Sequence, residues 1–214
     1  MRDRIIIIGG GGHAKVIVSI LKKLKERFEI VGYTDNEDRG SILGTTYLGS
    51  DDVLGPLCRQ KKANNAVLGL GQVKEATTRQ RIIAAVSGTG IQFPPIISPT
   101  AVINEDVLIG EGTVIMDGVV VNSGSRIGVF SILNTSASVD HDCAIGDYVH
   151  IAPGAVVCGG VTIGDFTTIG AGTSIIQYKS VSSHAVIGAG SVVLSDCPEP
   201  GTYAGRPARR ISKE

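Results

Sequence analysis

The sequence predicts a small α/β unit, half of a Rossmann-type βαβ fold, followed by a parallel β-helix of six-residue repeats. Three observations predict it. Every sixth residue from Ile97 to Val193 is Ile, Val or Leu without exception. Glycine follows that residue at Gly110, Gly128, Gly146, Gly164, Gly170 and Gly188. The chain opens with an apolar strand, a tetraglycine turn and an amphipathic helix. A period of six is neither helical nor a simple strand alternation; it marks hexads that each form one flat face, three of which, about 18 residues, close a triangular coil. The run gives nearly six coils.

The chain divides accordingly into residues 1–95, 96–197 and 198–214. Arg4 to Ile8 is a buried strand, Gly9 to His13 a loop, Ala14 to about Arg27 a helix and Glu29 to Thr34 a second strand. A third strand is expected at Ala66 to Gly69, a helix from about Lys74 to Val86 and a short strand near Ile91 to Phe93. Pro94 and Pro95 end the unit. In the coils, the aliphatic residue of each hexad points inward and stacks on its equivalents above and below. A small residue two positions earlier, such as Thr113, Ser125, Ala137 or Cys143, fits the narrow corner. The glycines after the aliphatic residues suit either positive φ or close backbone approach. A stack of coils needs caps at both ends, which residues 1–95 and 198–214 must supply.

Composition excludes several classes. Twenty basic and twenty acidic side chains cancel, leaving no field for nucleic acid or an anionic membrane. No apolar run approaches the roughly 20 residues that span a bilayer. The four isoleucines after Arg4 are too short for the apolar core of a signal peptide, so a cytoplasmic location is expected. Four cysteines form no CxxC pair, which gives no sign of a zinc knuckle or a disulfide framework.

Two segments carry chemistry. Gly9-x-Gly11-x-x-Ala14, with Asp35 about twenty residues on, fits the dinucleotide fingerprint. The unit before residue 95 has room for half of such a site, hence for one nucleotide. The glycines let backbone amides approach a diphosphate at the positive end of the helix, and Asp35 can accept from a base or ribose. A tight bend alone is the alternative use of the glycines. His13 at the helix start is open between a phosphate or sugar donor and a residue bonded to the backbone. In mid-coil, Asp140-His141-Asp142 lies at a hexad corner, so the ring should project outward, flanked by two carboxylates that set its tautomer and raise its basicity, as a general base requires. A solvated polar corner is the bland alternative. His150, just before inward Ile151, is open between cofactor contact and plain surface.

These residues resemble a known family. Gly9 to Val16 (GGGGHAKV), Val139-Asp140-His141-Asp142-Cys143, Ile-Gly-Ala-Gly at Ile169 and again at Ile187, and the closing Ala204-Gly205-Arg206-Pro207-Ala208-Arg209 are similar to the sugar-nucleotide N-acetyltransferases of bacterial surface-glycan synthesis. That group holds the bacillosamine-pathway and perosamine enzymes together with sialic acid O-acetyltransferases. The resemblance covers the whole chain and implies a left-handed β-helix, a homotrimer and acetyl transfer from acetyl-CoA to the amino group of a nucleotide-linked 4-amino-4,6-dideoxy sugar, with no metal. It implies that His141 is the base and Asp142 the acid that increases its basicity. Gly11, Gly12 and His13 hold the sugar nucleotide, with Asp35 and Asn36 at its base end. His150, Ala171 and Ala189 touch acetyl-CoA, between adjacent subunits. One departure stands out: Gln177 to Ser183 replaces a Pro-Gly corner common in the family, which makes the coil geometry there an open question.

Three rival readings use the same residues. An O-acetyltransferase acting on a sugar hydroxyl could employ the same base. A zinc carbonic-anhydrase-like protein would need His141, His150 and His184 on one metal. A non-catalytic scaffold or sugar-nucleotide sensor would bind without turnover.

Overall fold

The structure, a computed structural model, describes residues 2–71 and 77–211, in two compact units that divide between Ser98 and Pro99.

The first unit contains a parallel three-stranded sheet in the order β2-β1-β3, built from β1 (Asp3–Ile8), β2 (Phe28–Thr34) and β3 (Asn65–Leu68). The central strand carries the isoleucine run, and Ile5, Ile6, Ile7 and Ile8 are all buried. A parallel strand covered on both faces reads as a continuous apolar run rather than an alternation. Helix α1 (Gly12–Lys23) buries Ala14, Ile17, Val18, Ile20 and Leu21, the spacing of one helical face. It ends a full turn before the expected Arg27. The Leu24 amide donates to the carbonyls of both Ile20 and Leu21, and the amides of Arg27 and Phe28 turn back to the Leu24 carbonyl. This tight turn delivers Phe28 to its place beside Asp3 in the sheet, where it is buried. A short helix α2 (Leu54–Arg59) has no counterpart among the elements expected from the sequence. Helix α3 runs over Thr77–Val86; the part of the expected helix before Thr77 lies outside the described residues. Gln92 makes an isolated bridge to Asn65 in place of the expected strand.

The second unit is a parallel β-helix of about six coils. Each hexad contributes a short strand, and equivalent strands stack one coil apart: Ser138 pairs with Val120 below and Val156 above, and Ala144 with Arg126 and Thr162. Between coils, backbone amides reach carbonyls of the coil above, as from Val120 to Ala137 at 3.1 Å and from Ser138 to Ala155 at 2.9 Å. The inward aliphatic residues are buried from Ile115 to Val193, whereas Ile97, Ile103 and Ile109 are half-buried at the start of the stack. At the far end the hairpin of Gly201–Gly205 and Ala208–Ile211 pairs onto Ala185–Ile187.

The small residues two positions before each aliphatic one do more than fit. Thr113, Ser125, Ser131, Thr167 and Thr173 are fully buried, and each hydroxyl donates to a carbonyl of the next coil, the Ser125 hydroxyl to Asp140 at 2.6 Å. A buried hydroxyl needs such a partner, and here the partner cross-links one coil to the next.

Glycine has two separate uses in the coils. Every sixth residue from Asp106 to Gly190 has a positive φ, between 52° and 75°. The glycines after the aliphatic residues are not at these positions. They are there because the next coil is close: a Cβ on Gly128 would lie 2.5 Å from the Gly146 carbonyl carbon, and one on Gly170 would lie 2.5 Å from the Ala189 nitrogen. Across the departure at Gln177 to Ser183 the coil keeps its register, with Tyr178 bonded to the Gly159 carbonyl and Ser180 paired with Thr162. Among the described residues no helix is long and apolar enough to cross a membrane.

This separation is testable. Gly154 has φ 65° and open space around it, so Gly154→Ala should cost only the left-handed penalty of about 1–2 kcal/mol. Gly128→Ala must push two coils apart and should cost more in chemical denaturation.

Candidate active site

The corner after inward Val139 carries Asp140, His141 and Asp142. Asp142 takes the left-handed conformation there, φ 57°, which Asp tolerates better than most residues. Its Oδ2 lies 2.9 Å from His141 Nδ1. A carboxylate can only accept, so Nδ1 carries the hydrogen and Nε2 keeps its lone pair. Nε2 makes no hydrogen bond among the described residues and points over the next coil, where a Cβ on Gly159 would lie 2.5 Å from it. The bond to Asp142 raises the His141 pKa above its usual value; desolvation works against this, and the charges of Asp140 and Asp142 add to it. The His141 side chain is about half exposed, at 53%.

The two aspartates do different work: the charges of both raise the basicity of the ring, but the bond that sets its tautomer is made with Asp142 and not with the expected pair. Asp140 Oδ1 accepts the His141 backbone amide and the Asn122 Nδ2, both at 2.8 Å, and touches no imidazole nitrogen. These bonds, the one from Asn122 foremost, hold its carboxyl below the ordinary aspartate range. Asp140 secures the corner, and Asp142 holds the ring. Gly159 is not singled out by the sequence; counting one coil onward from His141 finds it.

In the first unit the four glycines of the turn divide into pairs. Gly9 has φ 102°, and a Cβ on Gly10 would lie 2.7 Å from the Tyr33 ring, so the fold requires both. Gly11 and Gly12 have negative φ and nothing within 4 Å of where a Cβ would stand. The fold does not require them. They open helix α1, Gly11 as its N-cap without a side-chain bond. Asp35 sits at the end of β2, its Oδ2 accepting the Gly10 amide at 2.7 Å and its Oδ1 the Glu37 amide at 3.3 Å, with Arg39 at 3.8 Å. Asp35 therefore braces the glycine turn. Asn36 beside it is exposed, and His13 is half-buried in the first turn of α1.

A second corner of the β-helix is nearly bare. Ala152-Pro153-Gly154, Gly170-Ala171-Gly172 and Gly188-Ala189-Gly190 stack there, and Ala171 and Ala189 are exposed. Gly154 and Gly172 have open space above them, and Arg206 Nε donates to the Gly190 carbonyl at 2.7 Å. His150 lies on the strand leading into this corner, its Nε2 3.3 Å from Asn134 Nδ2. His184 stands at the third corner, stacked on Phe166 with centroids 4.9 Å apart. The three coil histidines thus occupy separate places, and among the described residues no three His, Cys, Asp or Glu side chains could share a metal ion.

Comparison with known proteins places this arrangement. No curated protein matches the sequence. Residues 4–86 match the family described as the PglD N-terminal domain, and residues 142–177 the bacterial transferase hexapeptide family. A histidine-to-asparagine variant of perosamine N-acetyltransferase from Caulobacter crescentus, solved with CoA and GDP-perosamine, is 32% identical with a TM-score of 0.91, covering 98% of this chain and 97% of that one. The acetyltransferase domain of PglB from Neisseria gonorrhoeae, solved with acetyl coenzyme A, is 33% identical with a TM-score of 0.90, covering 99% of this chain and all of that one (100%). WeeI from Acinetobacter baumannii is 28% identical with a TM-score of 0.84, covering 97% and 99%. With this likeness running over nearly the whole chain, the protein belongs to the hexapeptide-repeat sugar-nucleotide N-acetyltransferases.

Proposed function

We propose that this protein transfers the acetyl group of acetyl-CoA to the amino group of a nucleotide-linked 4-amino-4,6-dideoxy sugar, with His141 as the general base. The observation that carries this reading is the His141 ring, fixed at Nδ1 by Asp142 and presenting Nε2 over a residue without a side chain. The complex of the perosamine enzyme with CoA and GDP-perosamine supports the same pair of ligands. Bacterial surface-glycan synthesis, in the cytoplasm where acetyl-CoA is made, is the setting this chemistry fits.

The neutral amine attacks the thioester carbonyl carbon, forming the C–N bond while the carbonyl electrons move to oxygen. His141 Nε2 takes the proton that the nitrogen must lose. The intermediate then collapses, the C–S bond breaks, and the imidazolium returns a proton to the departing thiolate. The Gly159 amide, on the residue the ring covers and without an acceptor among the described residues, is the donor assigned to the oxyanion in this reading. The glycine turn takes the sugar nucleotide: Gly11 and Gly12 leave the amides at the positive end of α1 open to a diphosphate, with His13 adjacent. Asp35 serves by bracing that turn, and Asn36 offers a donor and an acceptor toward the base. Acetyl-CoA lies along the bare corner at Ala171 and Ala189, near His150.

One flat face separates the bare corner from the His141 corner. Its outward residues are Val102, Val120, Ser138, Val156, Ser174 and Val192, with no charge among them, and Val102 and Val156 are exposed in the single chain. An uncharged face between the two half-sites supports a homotrimer in which the base of one copy meets the bare corner of another.

Three outcomes check this reading. In an acetyl-transfer assay across GDP-, UDP- and dTDP-linked 4-amino sugars, read as released thiol, His141→Ala should lower kcat by roughly 10²–10⁴. The base must be neutral, so kcat rises with pH through the raised His141 pKa. Asp142→Asn removes the largest cause of that rise and should move the acid limb to lower pH; an unmoved limb would separate Asp142 from the base. Gly11→Val should fold normally and raise KM for the sugar nucleotide alone, because only a ligand needs that space; a rise confined to acetyl-CoA would reverse the assignment of the two halves. Light scattering should give the mass of three chains, and Val156→Lys should shift it toward one chain with activity lost in parallel.

A further inference from the structure

Asn104, Asn122 and Asp140 occupy the same position in three successive coils, directly before the corner that carries His141. Asn104 Nδ2 donates to Asn122 Oδ1 at 2.7 Å, and Asn122 Nδ2 donates to Asp140 Oδ1 at 2.8 Å. The carboxylate sets the direction of the chain. Asp140 can only accept, so Asn122 must turn its amino group to it, which leaves the Asn122 oxygen for Asn104. In such a chain each bond polarises the next, and the negative end lies at Asp140. The ladder stops there, since the next two coils have Cys158 and Ile176 at this position.

At the end of the ladder the same Oδ1 accepts the His141 backbone amide at 2.8 Å. This is particular to the His141 coil. The equivalent corner amides of Ser123, Gly159 and Gln177 donate to no acceptor among the described residues. The ring itself is half exposed, and its one side-chain hydrogen bond among the described residues is made with Asp142, a residue of the same corner. Whatever fixes that corner fixes the direction of Nε2.

We propose that Asn122, backed by Asn104, is a positioning residue for the acetyl transfer: it locks Asp140 onto the His141 backbone and so holds the His141–Asp142 pair over Gly159. The proposal rests on the reading of His141 as the base. The charged groups facing His141 are few. Asp140 and Asp142 belong to its own corner, and the coils on either side present uncharged Ser123–Gly124 and Gly159–Gly160. Arg126 is the cation on the strand that leaves the coil below, and Glu105 and Asp106 stand two coils away. The Asn122 bond is the largest influence keeping Asp140 ionised, and the Asp140 charge in turn favours protonation of His141.

The test uses the full-length protein with Asn122→Ala and Asn122→Asp, and two kinds of readout. In kinetics, Asn122→Ala should lower kcat roughly ten- to a hundredfold, as a small misplacement of a catalytic group does, with both KM values and the melting temperature unchanged. In Asn122→Asp the introduced carboxylate faces Asp140 and adds negative charge beside it, which favours the protonated ring. The acid limb of kcat should move to higher pH in Asn122→Asp, so that its activity relative to wild type falls as pH falls through the limb, whereas in Asn122→Ala the limb moves to lower pH and the ratio rises. In NMR titration of 13C-labelled histidine, which needs no turnover, the His141 pKa should fall in Asn122→Ala and rise in Asn122→Asp. A His141 titration unmoved in both variants, or a kcat of Asn122→Ala within twofold of wild type, would overturn the proposal. So would a kcat loss matched by a lower melting temperature with the acid limb unmoved in both variants, since that describes a structural role alone. The titration decides the brace even where no sugar nucleotide is acetylated, which keeps its failure apart from failure of the transfer reading.

Discussion

The register between coils governs the rest of this molecule. Amides reach carbonyls of the coil above along the whole stack, so every residue stands over its equivalent one coil earlier or later. A parallel stack with short turns has little room to slip, because a shift of one residue would turn the inward aliphatic set outward. With the register fixed, side chains at a corner form columns, and a column can be given a property that no single corner could have. Buried hydroxyls bond from coil to coil in the same way as the backbone, which tightens the corners at the points where the strands end.

The three columns have taken different properties. One is nearly bare, with Ala and Gly at Ala171–Gly172 and Ala189–Gly190, and leaves backbone open to a ligand. The second carries the amide ladder and His141. The third stacks Phe130, Tyr148, Phe166 and His184 with centroids 4.9 to 5.5 Å apart, a spacing at which aromatic rings attract. All four hold left-handed backbone, φ 52° to 59°. Each such residue carries a penalty of about 1–2 kcal/mol, which ring stacking of about 0.5–1.5 kcal/mol per pair, with the area it buries, offsets. Asp142 sits at the same backbone position without a stacking partner, and its compensation is the bond to His141.

How much can be read from the residues depends on the length of the relation. Relations within a hexad are legible: the inward aliphatics and the small corner residues are where the period of six puts them. Relations across a coil are not. Gly159 above His141, Asn122 below Asp140 and the hydroxyl links all join residues a whole coil or nearly so apart, and nothing local marks them. The two aspartates beside His141 look alike in sequence, yet Asp140 faces the coil below and Asp142 faces the ring. The end of α1 escapes a local reading for a similar reason: Arg27 suits a helix by itself, but Phe28 is claimed by its sheet partner Asp3 at the start of the chain.

The glycines show how structure separates two demands that sequence merges. At Gly9 and Gly10 a side chain would meet positive φ or the Tyr33 ring, and at Gly128 it would meet the next coil; those glycines are explained by the fold. At Gly11 and Gly12 neither reason holds. Glycine carries an entropic penalty of roughly 0.5–1 kcal/mol relative to alanine inside a helix, and α1 begins with one at Gly12 where alanine would fit. The packing of the fold gives no reason for the absent Cβ at these two positions. A ligand that brings an anion against the amides opening α1 would have a use for that space, so the proposed sugar-nucleotide site rests on Gly11 and Gly12 rather than on the whole tetraglycine run.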